Sequence, residues 1–103
     1  METVCVRVRL KEGSLPRVRA WAKELNERRT EVLATLVDEG VRIESVFLDG
    51  DTLIYYMRAE SLEQASEVYA HSTHAIDAYH QRFKDETFES QASLELLIDF
   101  ENL

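Results

Sequence analysis

Residues 3–11 alternate between apolar and polar positions, with Val4, Val6, Val8 and Leu10 on one side and Cys5, Arg7 and Arg9 on the other. A period of two over this length predicts a strand with one side turned to a core. Gly13 breaks the alternation, Ser14 offers a helix cap, and Pro16 stands in the first turn, where a missing N–H costs little. Leu15, Val18, Ala22, Leu25, Val32, Leu33 and Leu36 then recur at helical spacing as far as Gly40, a C-terminal stop. One helix over this span would hold about 24 residues and reach about 36 Å, long for a small domain. Its middle, Asn26 to Thr30, has no large apolar residue, which leaves room for a kink or break there.

Residues 41–48 read as a second strand and residues 52–59 as a third, joined by Asp49-Gly50-Asp51, a hairpin turn signal. Ser61, with Gln64 three residues on, opens an amphipathic helix carrying Leu62, Ala65, Val68 and Tyr69. His71 to His74 interrupts the pattern before a further helical stretch with Ile76, Tyr79 and Phe83 on one face; the pattern leaves open whether 61–72 and 74–88 are one helix or two. Residues 93–101 alternate again, with Leu94, Leu96, Ile98 and Phe100 on one side, and predict the last strand. The order β-α-β-β-α(α)-β is the split β-α-β arrangement of ferredoxin-like folds. The expected architecture is one α+β domain over residues 1–103, a four-stranded antiparallel sheet with its helices on one face.

Composition narrows the partners. The 103 residues are 45% apolar and 31% charged, as in a folded, soluble domain. Twenty acidic residues against 12 basic give a net charge of −8, which argues against nucleic acid and an anionic membrane surface as partners. No run approaches the roughly 18 apolar residues of a membrane span, and Arg7, Arg9 and Lys11 break up any leader-like opening. A lone cysteine, Cys5, makes a reducing cytoplasm the expected location.

If Val4, Val6, Val8, Leu94, Leu96, Ile98 and Phe100 meet the helices, the other sheet face carries Cys5, Arg7, Arg9, Glu95, Leu97 and Asp99, joined by Val46, Leu48, Ile54 and Tyr56. That face is too apolar for simple solvation and too charged for a core. A homodimer joined through it, with Arg7 and Arg9 pairing Glu95 or Asp99, is the expectation; cross-strand ion pairs on a wet sheet are the alternative.

Candidate chemistry centres on the chain's three histidines, all within ten residues: His71, His74 and His80, with Asp77 between the last two. Spacing by three makes neighbours of His74 and Asp77 and of Asp77 and His80 on a helix, so a His–Asp acid–base pair is one reading. Helix-start and core-edge roles are the other. His74 and His80 lie about 120° apart around a helix, and neither HExxH nor a paired-cysteine zinc spacing occurs, so neither a metal nor a cofactor is expected. Trp21, Tyr55, Tyr56 and Tyr79 are amphipathic aromatics that can line a pocket or sit at the core edge. Glu44 and Arg58 are strand polar residues that could project into a cleft between sheet and helices.

Several stretches resemble an uncharacterised family of small prokaryotic proteins in the dimeric α/β-barrel superfamily: Arg9 to Ser14, Trp21 to Arg29, Asp38 to Val41, Glu44 to Leu48 and His74 to His80. The resemblance spans nearly the whole chain and implies the fold and a dimer, not an activity. The first half is also similar to L-rhamnose mutarotase in Leu10-Lys11-Glu12-Gly13, the long helix, Glu39-Gly40-Val41, Phe47-Leu48-Asp49 and Leu53 to Tyr56. Aligned on Gly40, that family's helix-borne catalytic histidine falls near Leu25 or Asn26, neither of which can shuttle a proton. The same superfamily contains cofactor-free monooxygenases and haem-degrading enzymes, and no motif here selects either. The functional expectation is therefore a small dimeric domain binding a small organic ligand. A cofactor-free isomerase, mutarotase or monooxygenase using His74, Asp77 and His80 is the alternative.

Overall fold

A computed structural model describes residues 1–102. The elements run β1 (Glu2–Leu10), α1 (Leu15–Glu27), α2 (Arg29–Glu39), β2 (Val41–Asp49), β3 (Thr52–Ala59), α3 (Leu62–Ala70), α4 (Ala75–Thr87) and β4 (Phe88–Ser93). The four strands form one antiparallel sheet in the order β2-β3-β1-β4, the ferredoxin-like arrangement.

The long helical pattern divides at Arg28, whose backbone (φ −102°, ψ 36°) leaves the helical region. The chain does not let go there: Arg28 N–H still donates to Glu24 O at 2.9 Å, and Arg28 O accepts from Val32 N–H at 3.1 Å. The Arg28 guanidinium ties the two halves together, reaching Glu24 at 3.4 Å and Glu31 at 2.6 Å. α2 ends at Gly40 in the left-handed region (φ +71°), a conformation that L side chains rarely adopt. At the start of α3, Ser61 Oγ accepts from Gln64 N–H at 3.2 Å, one half of the expected capping box. α3 and α4 are two helices. The turn between them is held by Ser72, whose Oγ accepts from His74 N–H at 3.1 Å and donates to Asp77 Oδ2 at 2.6 Å.

The last strand differs from the sequence expectation. It begins immediately after α4, pairing Phe88 with Leu10 and Ser93 with Val6, and the ladder closes with Leu94 N–H donating to Cys5 O at 2.8 Å. Residues 95–102 have no regular structure, and Ile98 (70% exposed) and Phe100 (87%) do not meet the helices. Phe88 packs against the main core instead, and beyond Leu94 the alternating segment pairs with no strand among the described residues. Asp99 and Glu101 engage Arg58 at 3.5 and 3.2 Å within the chain, so Asp99 is not free to answer Arg7 or Arg9.

Register assigns the faces. Val4, Val6 and Val8 stand opposite Met57, Tyr55 and Leu53, and β2 brings Glu44, Val46 and Leu48 beside the same three β3 residues. This row faces the helices, so Val46 and Leu48 belong to it and not to the outer face. Cys5, Arg7, Ile54, Tyr56, Ser45 and Phe47 occupy the outer face. The main core joins Val8, Leu10 and Leu53 to Val18, Trp21 and Phe83. Trp21 and Phe83 stack with ring centroids 4.3 Å apart, and Phe83 is wholly buried. A second cluster of Val41, Ala59 and Ala65 fills the other end.

Candidate functional site

A cavity of about 320 Å³ lies between sheet and helices. Its apolar wall includes Val4, Leu25, Leu36, Met57 and Ile76. Its polar residues come from five elements: Glu39 from α2, Glu44 from β2, Tyr55 from β3, Tyr69 from α3, and Asp77, His80 and Lys84 from α4. The α4 set follows helical spacing of i, i+3 and i+7, which places all three on one stripe. Glu44 occupies a helix-facing row position beside Met57, where an ordinary core would hold an aliphatic side chain.

Tyr55 stands in the row between β1 and β2, flanked by Val6 and Val46, with its ring near those of Trp21, His80 and Phe88. Its hydroxyl is buried with no hydrogen-bond partner among the described residues. Such a group carries a desolvation cost of about 1–3 kcal/mol until something pairs with it. Burial also pushes its pKa up, so the hydroxyl keeps its proton.

His80 is fixed from behind. Trp21 Nε1–H donates to its Nδ1 at 3.0 Å, and the two rings stack. An indole N–H can only donate, so Nδ1 is bare and the neutral ring carries its hydrogen on Nε2. Burial, with Lys84 nearby, pushes the imidazole pKa down to about 3, so the ring is a neutral hydrogen-bond donor.

The carboxylates are displaced in the opposite sense. Burial, reinforced by the negative charges of Asp77 and Glu44, pushes the Glu39 carboxyl up to about 7. Glu44 combines a solvent-accessible edge-strand position with a carboxyl crowded by protein on the cavity side. Burial raises its pKa against the opposing pull of Lys84. Lys84 is itself lowered by burial, and its Nζ rests over the Tyr69 ring, 4.5 Å from the centroid. Burial, then Asp77, pushes the Tyr69 phenol up to about 12.

Outside this cavity a wider groove of about 930 Å³ runs between α2, α3 and the α3–α4 turn, with Glu39 and Asp77 lining both. The groove is open, and of its two histidines, His71 and His74, the second is already engaged: His74 Nε2–H donates to Asp38 Oδ2 at 2.7 Å, and that bond raises the His74 pKa. The smaller cavity, with its unpaired hydroxyl and displaced carboxyls, is therefore the stronger candidate site.

Of the residues singled out in the sequence, Asp77, His80, Tyr55 and Glu44 line the cavity together. Trp21 is one layer behind, orienting His80. His74 and Asp77 do not pair with each other; their hydrogen bonds go to Asp38 and Ser72. Tyr79 accepts from Arg17 Nη1 at 3.2 Å, away from the cavity lining. Tyr56 and Arg58 belong to the outer sheet face, where Arg58 donates to Thr3 and is held by Asp99 and Glu101. The sequence reading passed over Glu39, Tyr69 and Lys84 as site residues. Lys84 was within reach of it, since it extends the Asp77–His80 stripe by one turn. Glu39 had no such signal: it reads as the polar end of a helix before Gly40. Among the described residues no group of His, Cys, Asp and Glu is arranged to hold a metal ion.

The chain belongs to DUF6176, a family of unknown function, which it matches over residues 1–103. No functionally curated protein matches the sequence. In fold it is similar to L-rhamnose mutarotase from Formosa agariphila (TM-score 0.66, 20% identity, 98% of this chain and 100% of that one). It is also similar to tetracenomycin F2 cyclase, a type-II polyketide cyclase from Streptomyces glaucescens (TM-score 0.64, 14% identity, all of both chains). A third similar structure is a dimeric protein of unknown function and ferredoxin-like fold from Bacteroides fragilis (TM-score 0.54, 21% identity, 89% of this chain and 90% of that one). At these identities the likeness establishes the fold.

Proposed function

We propose that this member of the DUF6176 family binds a small organic molecule in the cavity between its sheet and its helices. The observation that carries the reading is the buried, unpartnered hydroxyl of Tyr55 in a cavity it shares with Glu39, Glu44, Asp77, His80 and Lys84. A pocket with an apolar wall and a few convergent polar groups is the common form of a small-molecule site. Similar folds that carry a mutarotase and a polyketide cyclase support the same class of ligand. Native mass spectrometry of the purified chain, followed by a small-molecule thermal-shift screen, tests it. The expected result is a ligand whose affinity falls about tenfold in Tyr55→Phe, which deletes the unpaired hydroxyl and keeps the ring. A ligand whose affinity is indifferent to Tyr55→Phe and Glu44→Gln overturns the assignment.

A catalytic role at the same cavity is the second reading, favoured by Glu39. A carboxyl with a pKa of about 7 can both give and take a proton at neutral pH. It stands in for the His–Asp pair of the sequence reading, because Trp21 already occupies His80 Nδ1 and Asp77 already accepts from Ser72.

The functional unit is a homodimer joined through the outer sheet face. Ile43 and Phe47 (61% exposed) are open there, and the leucine-rich tail adds Leu97, Ile98 and Phe100 beside it. The dimeric Bacteroides protein of similar fold supports a dimer as such. A reducing cytoplasm, suggested by the lone Cys5, belongs to the same reading.

A further inference from the structure

We propose that the cavity takes a small organic cation, an ammonium or amidinium on a compact apolar body, which names the ligand class for the small-molecule site proposed above and rests on that reading. Glu39, Glu44 and Asp77 come from three different elements and converge on one space that holds, among the described residues, a single opposing cation, Lys84. His80, the other basic side chain of the lining, offers a neutral N–H and no charge. Lys84 is already accommodated on the face of Tyr69. An anionic ligand would meet three carboxyls with only that ammonium to answer them, whereas a cation gains charge-assisted hydrogen bonds to acids from several directions. The buried Tyr55 oxygen, which lacks a partner among the described residues, accepts one further N–H. Leu25, Leu36, Met57 and Ile76 leave the rest of the ligand an apolar bed. The volume of about 320 Å³ fits an apolar body of about ten water-sized groups.

Burial pushes the Glu39 carboxyl up to about 7 and raises the Glu44 carboxyl in the same direction. An arriving cation favours the ionised carboxyls, so binding expels protons and tightens as pH rises from 6 toward 8.

The test compares cyclohexylmethylamine, cyclohexylmethanol and cyclohexanecarboxylate by isothermal titration calorimetry on the whole chain. The fluorescence of Trp21, the single tryptophan, gives a second readout, because its ring stacks on His80 of the lining. The expected result is an amine at least about tenfold tighter than the alcohol, and a carboxylate weaker than both. Glu44→Gln and Glu39→Gln should each weaken the amine several-fold more than they weaken the alcohol. Preference for the alcohol or the carboxylate overturns the cation class and leaves the small-molecule site standing. Failure of all three to bind at millimolar concentration removes the site itself, and the cation class with it.

Discussion

Trp21 and His80 together set what the imidazole can do. The indole N–H occupies Nδ1, and burial keeps the ring neutral, so in the folded chain His80 donates and does not carry charge. His74, bonded to Asp38, is held in its charged form to higher pH than an ordinary histidine. Imidazole NMR titration should therefore show His74 titrating above its usual 6.5 while His80 stays neutral through pH 5. A His80 midpoint near 6.5 would contradict this geometry. The lowered value also has a stability sign. The unfolded ring takes a proton that the folded ring refuses, so its contribution is intact above 6.5 and drains away as pH falls toward about 3. Glu39 runs the other way. Its folded value of about 7 lies above the ordinary 4.5, so its contribution is intact below 4.5 and is lost as pH rises through about 7. Glu39→Gln should thus stabilise the chain at pH 8 by about 1 kcal/mol, discounted for partial solvation, or about 5 °C in Tm, and do little at pH 4. Melting curves at the two pH values check it.

The elements depend on a few local decisions. At Gly40 an added Cβ would meet only the Glu60 side chain at 3.8 Å, an ordinary contact, so Gly40→Ala should destabilise by about 1 kcal/mol through backbone strain alone. α4 serves two ends: Phe83 is buried in the main core, while Ile76, Asp77, His80 and Lys84 line the cavity. Phe83 is stacked on Trp21 and fully buried, so Phe83→Ala should cost about 3–5 kcal/mol in chemical denaturation. At Arg28 the break is bridged by ion pairs that are solvent-accessible, and bridges of that kind contribute little to stability. The break follows from the absence of an apolar anchor between Asn26 and Thr30.

At the scale of the whole molecule the sheet has two unlike sides. One is covered by helices and encloses the cavity. The other leaves Phe47 and Ile43 open, next to a tail whose Leu97, Ile98 and Phe100 lie free. The homodimer proposed above would cover these exposed apolar side chains. Sedimentation of the wild type should give twice the chain mass, and Phe47→Asp should shift it toward the monomer with the helix content retained. A monomeric wild type would remove the proposed assembly.

The sequence alone carries the element order, the ferredoxin-like class and the interruption at His71–His74. Alternation and helical spacing are local signals, and turn residues such as Gly40 and Asp49-Gly50 act where they stand. It also singled out Asp77 and His80 through the clustering of the histidines, Tyr55 as an amphipathic aromatic and Glu44 as a polar strand residue. It misplaced the last strand, because the 93–101 alternation is as regular as that of a paired strand, and only the position of β1 beside the end of α4 awards the pairing to Phe88–Ser93. It also assigned Arg58 to the cleft, whereas strand register turns that side chain to the outer face and the tail ties it there. The partners of the histidines, Trp21 for His80 and Asp38 for His74, lie 59 and 36 residues away in the chain. No spacing rule reaches that far. Burial, which displaces the Glu39 and His80 protonation equilibria in opposite directions, exists only once helices and sheet have closed over the cavity.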